Sequence, residues 1–516
     1  MFLSIYSNGT EPTGEAPKLT VHKKEDGYFV GGQTPHRQAY VRARKHQPST
    51  YCHATPNGDI YMGYGPRHAN ETTEFLHVYM GRGGDMRIAR DMYCTLPLFY
   101  GTSEGIVVVS NDFNYVCSAL PRLTLNRAYV RQFLQGTEPS WQTMFHEVRV
   151  LGERQVLHVH NNTIRITQPP PRNWLYNEEL PTTNPRDFLP LLNWQLETFL
   201  QTRLVSTHFA FELSGGLDSS LAPLYMRKHG YTGKLVTGSM LLHEPEMREC
   251  QLQKLNALIT AAQLKPYYID LHPGRDVPPA IHPAEQQGYM HTLHELYTAG
   301  VRHLADYFQA QGITMVVTGM GGDQLFANKP HPRIALPSPY TRPLPAFVHQ
   351  ELAYAPYAVE ATPEQSLLAG STMVESLSRA NIYIERGIWP VSPFHSVILF
   401  NFCQALAIQY RTNRNILRGY YQACGYPELL CLGEEDFSSY FDVCLRSPIA
   451  ASMVRHYGTR PLSQALRLIH PTILLDLYGT VCRTSTDPEE HLFAIYNWLA
   501  VERNLRVAHT QARLVP

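Results

Sequence analysis

Neither sign of charge is in surplus: Lys+Arg and Asp+Glu tie at 44 each in 516 residues. A balanced chain has no electrostatic footprint for nucleic acid or an anionic membrane. The nine cysteines lie singly between Cys52 and Cys482 with no C-x-x-C pair. That spacing argues against a zinc site or a disulfide framework and reads as reduced, mostly buried thiols. No apolar run approaches the length of a membrane span, and the start "MFLSIYSNGTEPTGEAPKL" has no basic flank. A soluble, cytoplasmic protein is the expectation. The Walker pattern GxxxxGK[ST] is absent, and "HTLHE" (His291 to Glu295) is not HExxH but reads as polar positions on a helix. No internal repeat is visible.

What is present is a globular composition, 44% hydrophobic and 17% charged, in a chain too long for one core. Up to about residue 167 the sequence reads as short strands broken by turns: "GDIYMGYG", "TEFLHVYMGRGGDMRIARD", "LPLFYGTSEGIVVVSND" and "RQVLHVHNNTIRI". Pro169 to Pro171, Pro181 and Pro185 then deny both helix and ladder, which predicts a linker with a boundary near residue 175. Beyond it, helix-length amphipathic stretches alternate with short apolar strands. "HFAFEL", "GKLVTGSM" and "ITMVVTG" read as strands, and "FLPLLNWQLETFLQTRL", "SSLAPLYMRKHG" and "HELYTAGVRHLADYFQAQG" as helices. Alternation of this kind implies a parallel sheet covered on both faces, with ligands outside the carboxyl ends of its strands.

Two glycine-rich turns fall at such ends, "SGGLDSS" after the first strand and "GMGGDQLF" about a hundred residues later. A helix that begins directly after a Gly-Gly bend presents free N–H groups and its positive dipole end, which is an anion site. Gly215 and Gly216 let the backbone approach a ligand, and Ser214, Ser219 and Ser220 offer hydroxyls to phosphate oxygens. Asp218 repels phosphate unless a cation lies between them, and Mg2+ shared with Asp323 resolves the conflict. A generic helix-capping loop is the bland alternative for either turn alone; the pair favours a ligand.

"LSGGLDSS" resembles the pyrophosphate loop of the N-type ATP pyrophosphatases, and "VTGMGGDQLF" is similar to the second signature of their asparagine synthetase branch, SGxGxDExF. "ESLSRANIYIERGIWPVSPFHS" and "NRNILRGYYQACGYPELL" are similar to the family's RANxxxxxGVExRVPFLD and KxxLRxAxxxxLP. In the first part, "RIARDMYCTLPLFY" and "VVVSND" resemble the glutaminase-type LARDxxGxxPLYY and FASE. The resemblance implies an Ntn-hydrolase-like, glutaminase-type sandwich over residues 1–175 and an adenine nucleotide α-hydrolase-like synthetase domain over 176–516. It implies ATP and Mg2+, adenylation of a carboxylate with release of pyrophosphate, and attack by an amine. It places ATP against Leu213, Ser214, Gly215, Gly216, Leu217, Asp218, Ser219, Ser220, the segment Gly238, Ser239, Met240, and Thr318, Gly319, Gly321 and Gly322, with Asp218 and Asp323 on the metal.

Three departures bear on function. The family's glutaminase nucleophile is a cysteine at position 2, and this chain has Phe2. Met320 stands where a proton-handling Glu or Tyr is usual between the glycines, so Glu375 becomes the candidate for that task, with an exposed helix-start carboxylate as the alternative. Glu434 in "LGEEDFSSYF" stands at the family's lysine, and losing such a donor costs roughly 2.7 to 4 kcal/mol of transition-state stabilisation. The strap "FANKPHPRIALPSPYTRPLP" offers Lys329, His331 and Arg333 instead, either as a lid over the site or as ordinary surface. These departures point to the branches that form an intramolecular amide: lasso-peptide cyclases first, with a precursor peptide as substrate and a leader-processing protease as partner, and β-lactam synthetases, acting on a small-molecule acid, second. An asparagine synthetase-like enzyme acting on a small molecule stays open, as does a pseudoenzyme scaffold that retains nucleotide binding. Incubation with glutamine is expected to yield no glutamate above the buffer blank, because Phe2 carries no nucleophile; release above it at any protein concentration overturns that reading.

Overall fold

In the computed structural model the described residues are 3–8, 20–24, 27–31, 37–41, 50–55, 59–64, 76–81, 85–90, 95–136, 141–160, 162–167, 187–204, 207–282, 288–292, 295–326, 343–354, 370–426, 429, 438–483 and 489–515. The fold is mixed α/β, with two antiparallel sheets in the first part and a parallel sheet in the second.

The hairpins read from the sequence are present. Phe99–Ser103 pairs with Ile106–Ser110, Leu76–Met80 with Met86–Arg90, and Val156–His160 with Thr163–Thr167, all antiparallel. Among the described residues they join into a seven-stranded and a six-stranded sheet. Strand periodicity assigns each side chain of Ile106–Ser110 to a face. Val107 and Val109 pack with Ile60, Met62, Val78 and Ile88 of the other sheet, while Val108 turns the opposite way onto Phe113, Val116 and Leu120. One sheet is thereby covered by its partner sheet on one side and by the helix Phe113–Ala119 on the other. The "SND" of that sequence motif builds the corner: Asp112 Oδ1 caps the helix by accepting from the Tyr115 amide at 3.2 Å.

The second part holds parallel strands in the order Leu264–Lys265, Leu235–Leu241, Phe209–Glu212, Met315–Val317, Trp389–Val391, with Tyr268–Asp270 also pairing on Leu235–Leu241. Phe209 and Phe211 face the helices Phe188–Thr202, Leu217–Lys228 and Pro245–Ala262, whereas Ala210 and Val316 face Thr298–Ala310 and Gly370–Glu385. A strand buried on both faces has to be apolar throughout, which is why "FAF" and "MVV" show no alternation. One helix starts later than the sequence suggests. It runs from Thr298, so His291, Thr292 and Glu295 precede it instead of riding on it. His291 packs between the rings of Phe99 and Phe113, at 4.9 and 5.2 Å, which joins the two parts of the chain.

Other contacts tie the parts more firmly. Leu123–Thr124 pairs in parallel with Leu514–Val515, Asn497 Nδ2 donates to the Phe133 carbonyl at 2.8 Å, and Asn114 Oδ1 accepts from the Tyr289 amide at 2.8 Å. Arg513 donates to the carbonyls of Cys117, Ser118 and Leu120, where the helix Phe113–Ala119 leaves its last acceptors open. Its positive charge also suits that end of the helix dipole. The proposed boundary near residue 175 falls outside the described residues. Arg513→Ala is expected to lower stability by about 1.5 to 3 kcal/mol, the range for hydrogen bonds from a charged donor. Urea unfolding followed by circular dichroism checks it; an unchanged midpoint makes the clasp incidental.

Candidate functional site

The first turn follows the buried strand Phe209–Glu212. Gly215 sits at φ +100, a conformation that side chains rarely adopt, and Gly216 is the extended N-cap of the helix that begins at Leu217. The serines fix the bend from inside. Ser214 Oγ accepts from the Gly216 amide at 3.1 Å, and Ser219 Oγ accepts from the Ser214 amide at 3.2 Å. Ser214 and Ser219 keep partial exposure. Ser220 differs from the sequence-based expectation of a phosphate donor: it is 1% exposed, donates to the Gly216 and Leu217 carbonyls, and shares a 2.8 Å hydrogen bond with the Tyr421 hydroxyl. It holds the helix start from below.

The second turn lies on top of the first. A methyl on Gly319 would stand 3.0 Å from the Ser219 amide nitrogen, and one on Gly322 would stand 2.5 Å from Asp218 Cγ. A side chain at Gly322 would force a shift and one at Gly319 would be tight, so the two glycines allow Asp218 to rest on the backbone just before Asp323. Gly321 takes φ +89 and faces His395 at 3.3 Å from where its methyl would be. That imidazole is 5% exposed; burial and then the Arg203 charge bring its pKa down to about 3, so it stays neutral. Met320 is buried at 7%, its carbonyl accepting from Ser392 Oγ at 2.6 Å.

Along the same rim, Gly238 and Ser239 lie within the second strand, and Met240 is buried there. The Gly238 carbonyl accepts from the Leu213 amide at 2.9 Å, and its Cα faces the helix Thr298–Ala310, where a methyl would meet Leu304 at 2.6 Å. Gly238 therefore serves helix packing, whatever it offers a ligand. Thr318 continues the strand Met315–Val317, its amide donating to the Val391 carbonyl at 2.9 Å. Leu213 to Ser219, Gly319, Gly321 and Gly322 are thus gathered at the carboxyl end of the sheet. Lys329, His331, Arg333 and Glu434 lie outside the described residues. Glu375 belongs to Gly370–Glu385 and sits in its second turn instead of at its start; its side chain is likewise outside the description.

These turns fall in one recognisable segment. Residues 195–383 match the asparagine synthase family. The match covers both glycine turns and less than half of the chain, and no curated protein matches the sequence significantly. Asparagine synthase is an ATP-dependent ligase that forms a C–N bond, and the matched segment is consistent with an enzyme of that kind. Use of ATP and action on a carboxylate follow for the matched segment. Among the described residues no helix is long and apolar enough to cross a membrane.

Inside the asparagine synthase segment lies a charge cluster that sequence reasoning passed over. Arg379, from "SRAN", donates Nη1 to Glu212 at 2.8 Å and Nε to Glu295 at 2.7 Å, and the Tyr383 hydroxyl donates to the other Glu212 oxygen at 2.8 Å. Glu212 and Glu295 are buried. Burial alone would lower the Arg379 pKa, but the two carboxylates hold it well above its usual value; burial and then Glu212 push Tyr383 upward. Two residues on, Asn381 exchanges amide hydrogen bonds with Asn111 of the antiparallel part, at 2.8 and 2.6 Å. The signal in the sequence was a glutamate, Glu212, inside an otherwise apolar buried strand.

Outside the segment, Arg414 lies 3.5 Å from Asp218 Oδ2. Asn413 and Arg414 are both left-handed, at φ 54 and 55, and Arg418 Nε braces them by donating to the Asn413 carbonyl at 2.8 Å. Such backbone costs of order 1 to 3 kcal/mol per residue and persists only where its surroundings impose it. Tyr421, on the helix that follows, donates to the Leu217 carbonyl at 2.5 Å. Replacing Arg379 by Met is expected to cost about 3 to 5 kcal/mol, because two buried carboxylates lose their counter-charge. Chemical denaturation measures it, and a loss below about 1 kcal/mol, the worth of an exposed pair, shows the cluster to be solvated.

Proposed function

We propose that the enzyme adenylates the carboxylate of a precursor peptide with Mg-ATP and closes an intramolecular amide, acting as a lasso-peptide macrocyclase. The observation that carries the nucleotide half is the contact of Gly322 with Asp218. Asp218 and Asp323 come from two turns in contact, a donor set of hard oxygens that suits Mg2+ between phosphates. Ser214 to Asp218 cradle the pyrophosphate, and the rim from Gly238 to Met240 with Leu213, Thr318 and Gly319 faces the base. Catalysis is then positioning and charge stabilisation of the leaving pyrophosphate.

The peptide half rests on the sequence. Phe2 removes glutamine as a nitrogen source, as expected where the amine belongs to the substrate, and Met320 departs from the Glu or Tyr of the glutamine-dependent and β-lactam branches. Residues 1–175 are then a glutaminase-type domain kept for structure, 176–516 the synthetase domain, and a leader-processing protease the partner. The reading places the protein in the cytoplasm. Glu375 handles the proton, and the cation that replaces the family's lysine is Lys329 on the strap or Arg414 beside Asp218.

Titration calorimetry should show ATP binding that needs magnesium and is abolished by Asp218→Asn; equal affinity in the variant sinks the nucleotide site. With a precursor peptide, wild type should release AMP and pyrophosphate while the peptide loses one water. Lys329→Ala is expected to slow that step roughly a hundredfold with ATP binding little changed, as for a group acting in the transition state. If Lys329→Ala is inert and Arg414→Ala shows the loss, the cation is Arg414. Turnover of a small acid but of no peptide supports the β-lactam synthetase-like or asparagine synthetase-like alternative, and no AMP from any substrate supports a nucleotide-binding scaffold.

A further inference from the structure

The first and second strands of the parallel sheet run together until Glu212 meets Gly238, and the bond from the Leu213 amide to the Gly238 carbonyl is the last between them in that ladder. Past it the main chains part. One enters the glycine turn, and the other continues to Leu241 alongside Tyr268–Asp270. The carboxamide of Gln251, on the helix Pro245–Ala262, bridges the parted ends with no exposed surface. Its Nε2 donates to the Ser214 carbonyl at 2.8 Å and to the Met240 carbonyl at 2.9 Å, and its Oε1 accepts from the Leu242 amide at 2.9 Å. A side-chain amide here supplies the donors and acceptor that another pair of ladder residues would have supplied.

The parting of neighbouring strands at their carboxyl ends is what opens a ligand crevice in a parallel sheet. Ser214 is on its phosphate side and Met240 on its base side, so one rigid amide sets the gap between them. We infer that Gln251 is a positioning residue that fixes the separation of the phosphate turn from the base-facing rim, and with it the affinity for a nucleotide that must reach both. This rests on the nucleotide reading of the site. A ligand held by the phosphate turn alone does not depend on the gap. A glutamine that merely satisfies three buried backbone groups gives a different signature: its loss lowers stability and weakens every ligand of the turn alike.

The test compares Mg-ATP with Mg-pyrophosphate by titration calorimetry on the full chain, alongside thermal unfolding. Gln251→Leu removes all three bonds at similar volume, and Gln251→Glu keeps only the acceptor for Leu242. Wild type should bind both ligands. Each variant should bind Mg-ATP at least about tenfold more weakly while keeping Mg-pyrophosphate within about threefold. Affinity of Gln251→Glu for ATP, relative to wild type at the same pH, should recover in part as pH is lowered, because the protonated carboxyl regains one of the two donors. If Gln251→Leu does not fold, Gln251→Glu alone decides between the two signatures. Equal losses for both ligands, or an unchanged affinity for ATP, overturn the inference. Wild type that binds neither ligand overturns the nucleotide reading and this inference with it.

Discussion

The approach of Gly322 to Asp218 is the constraint on which the rest of the site depends. Two turns a hundred residues apart in sequence meet here with a side chain on one of them only: a methyl on Gly322 would overlap the Asp218 carboxylate carbon at 2.5 Å. From that contact follow the others. Gly319 leaves room for the Ser219 backbone, Gly321 takes a left-handed turn that brings Gly322 around, and Arg414 lies within 3.5 Å of Asp218. Beneath them, Ser220 and Tyr421 hold the start of the helix so that its first amides keep their direction. The glycines are therefore needed by the protein itself, before any ligand is considered.

Support for this contact comes from three directions. Gln251 joins the phosphate turn to the second strand, Arg379 joins the residue just before the turn to Glu295 and, through Tyr383, to its own helix, and Arg414 closes the open side. Each carries a buried or half-buried polar group into a region of low effective dielectric, where a satisfied network is rigid and an unsatisfied one is costly. On the proposed nucleotide reading, rigidity matters because charge developing on a leaving group is stabilised most by groups that do not have to reorganise.

Much of the architecture was legible because it follows local rules. The hairpins announced themselves by alternation, the parallel strands by short apolar runs between helical periods, and the two turns by glycine and aspartate at strand ends. What stayed hidden is tertiary. Gln251 looks like one more polar residue on a helix until the fold carries it under two parted strands, and "HTLHE" has helical spacing although Glu295 is needed ahead of the helix to meet Arg379. Ser220 reads as a phosphate donor by composition and is turned inward by the helical period, four residues from Gly216. Arg414 was present in a quoted motif, but nothing local marks two successive left-handed residues as an arginine's route to Asp218.

The antiparallel part has a place in the same logic. Its Asn111 exchanges two hydrogen bonds with Asn381, two residues from Arg379, which in turn holds Glu212 at the threshold of the phosphate turn. The path from the antiparallel sheets to the first glycine turn is four residues long, from buried Asn111 through half-buried Asn381 and Arg379 to buried Glu212. Removing the first part would free the Asn381 amide, strip His291 of the rings of Phe99 and Phe113, and take the partner strand from Leu514–Val515. A first part that had lost every chemical task would still be needed to hold the helix Gly370–Glu385 in place. Contacts of this kind give the chain a reason to keep both antiparallel sheets whatever residue stands at position 2, because the support depends on the sheets as a whole.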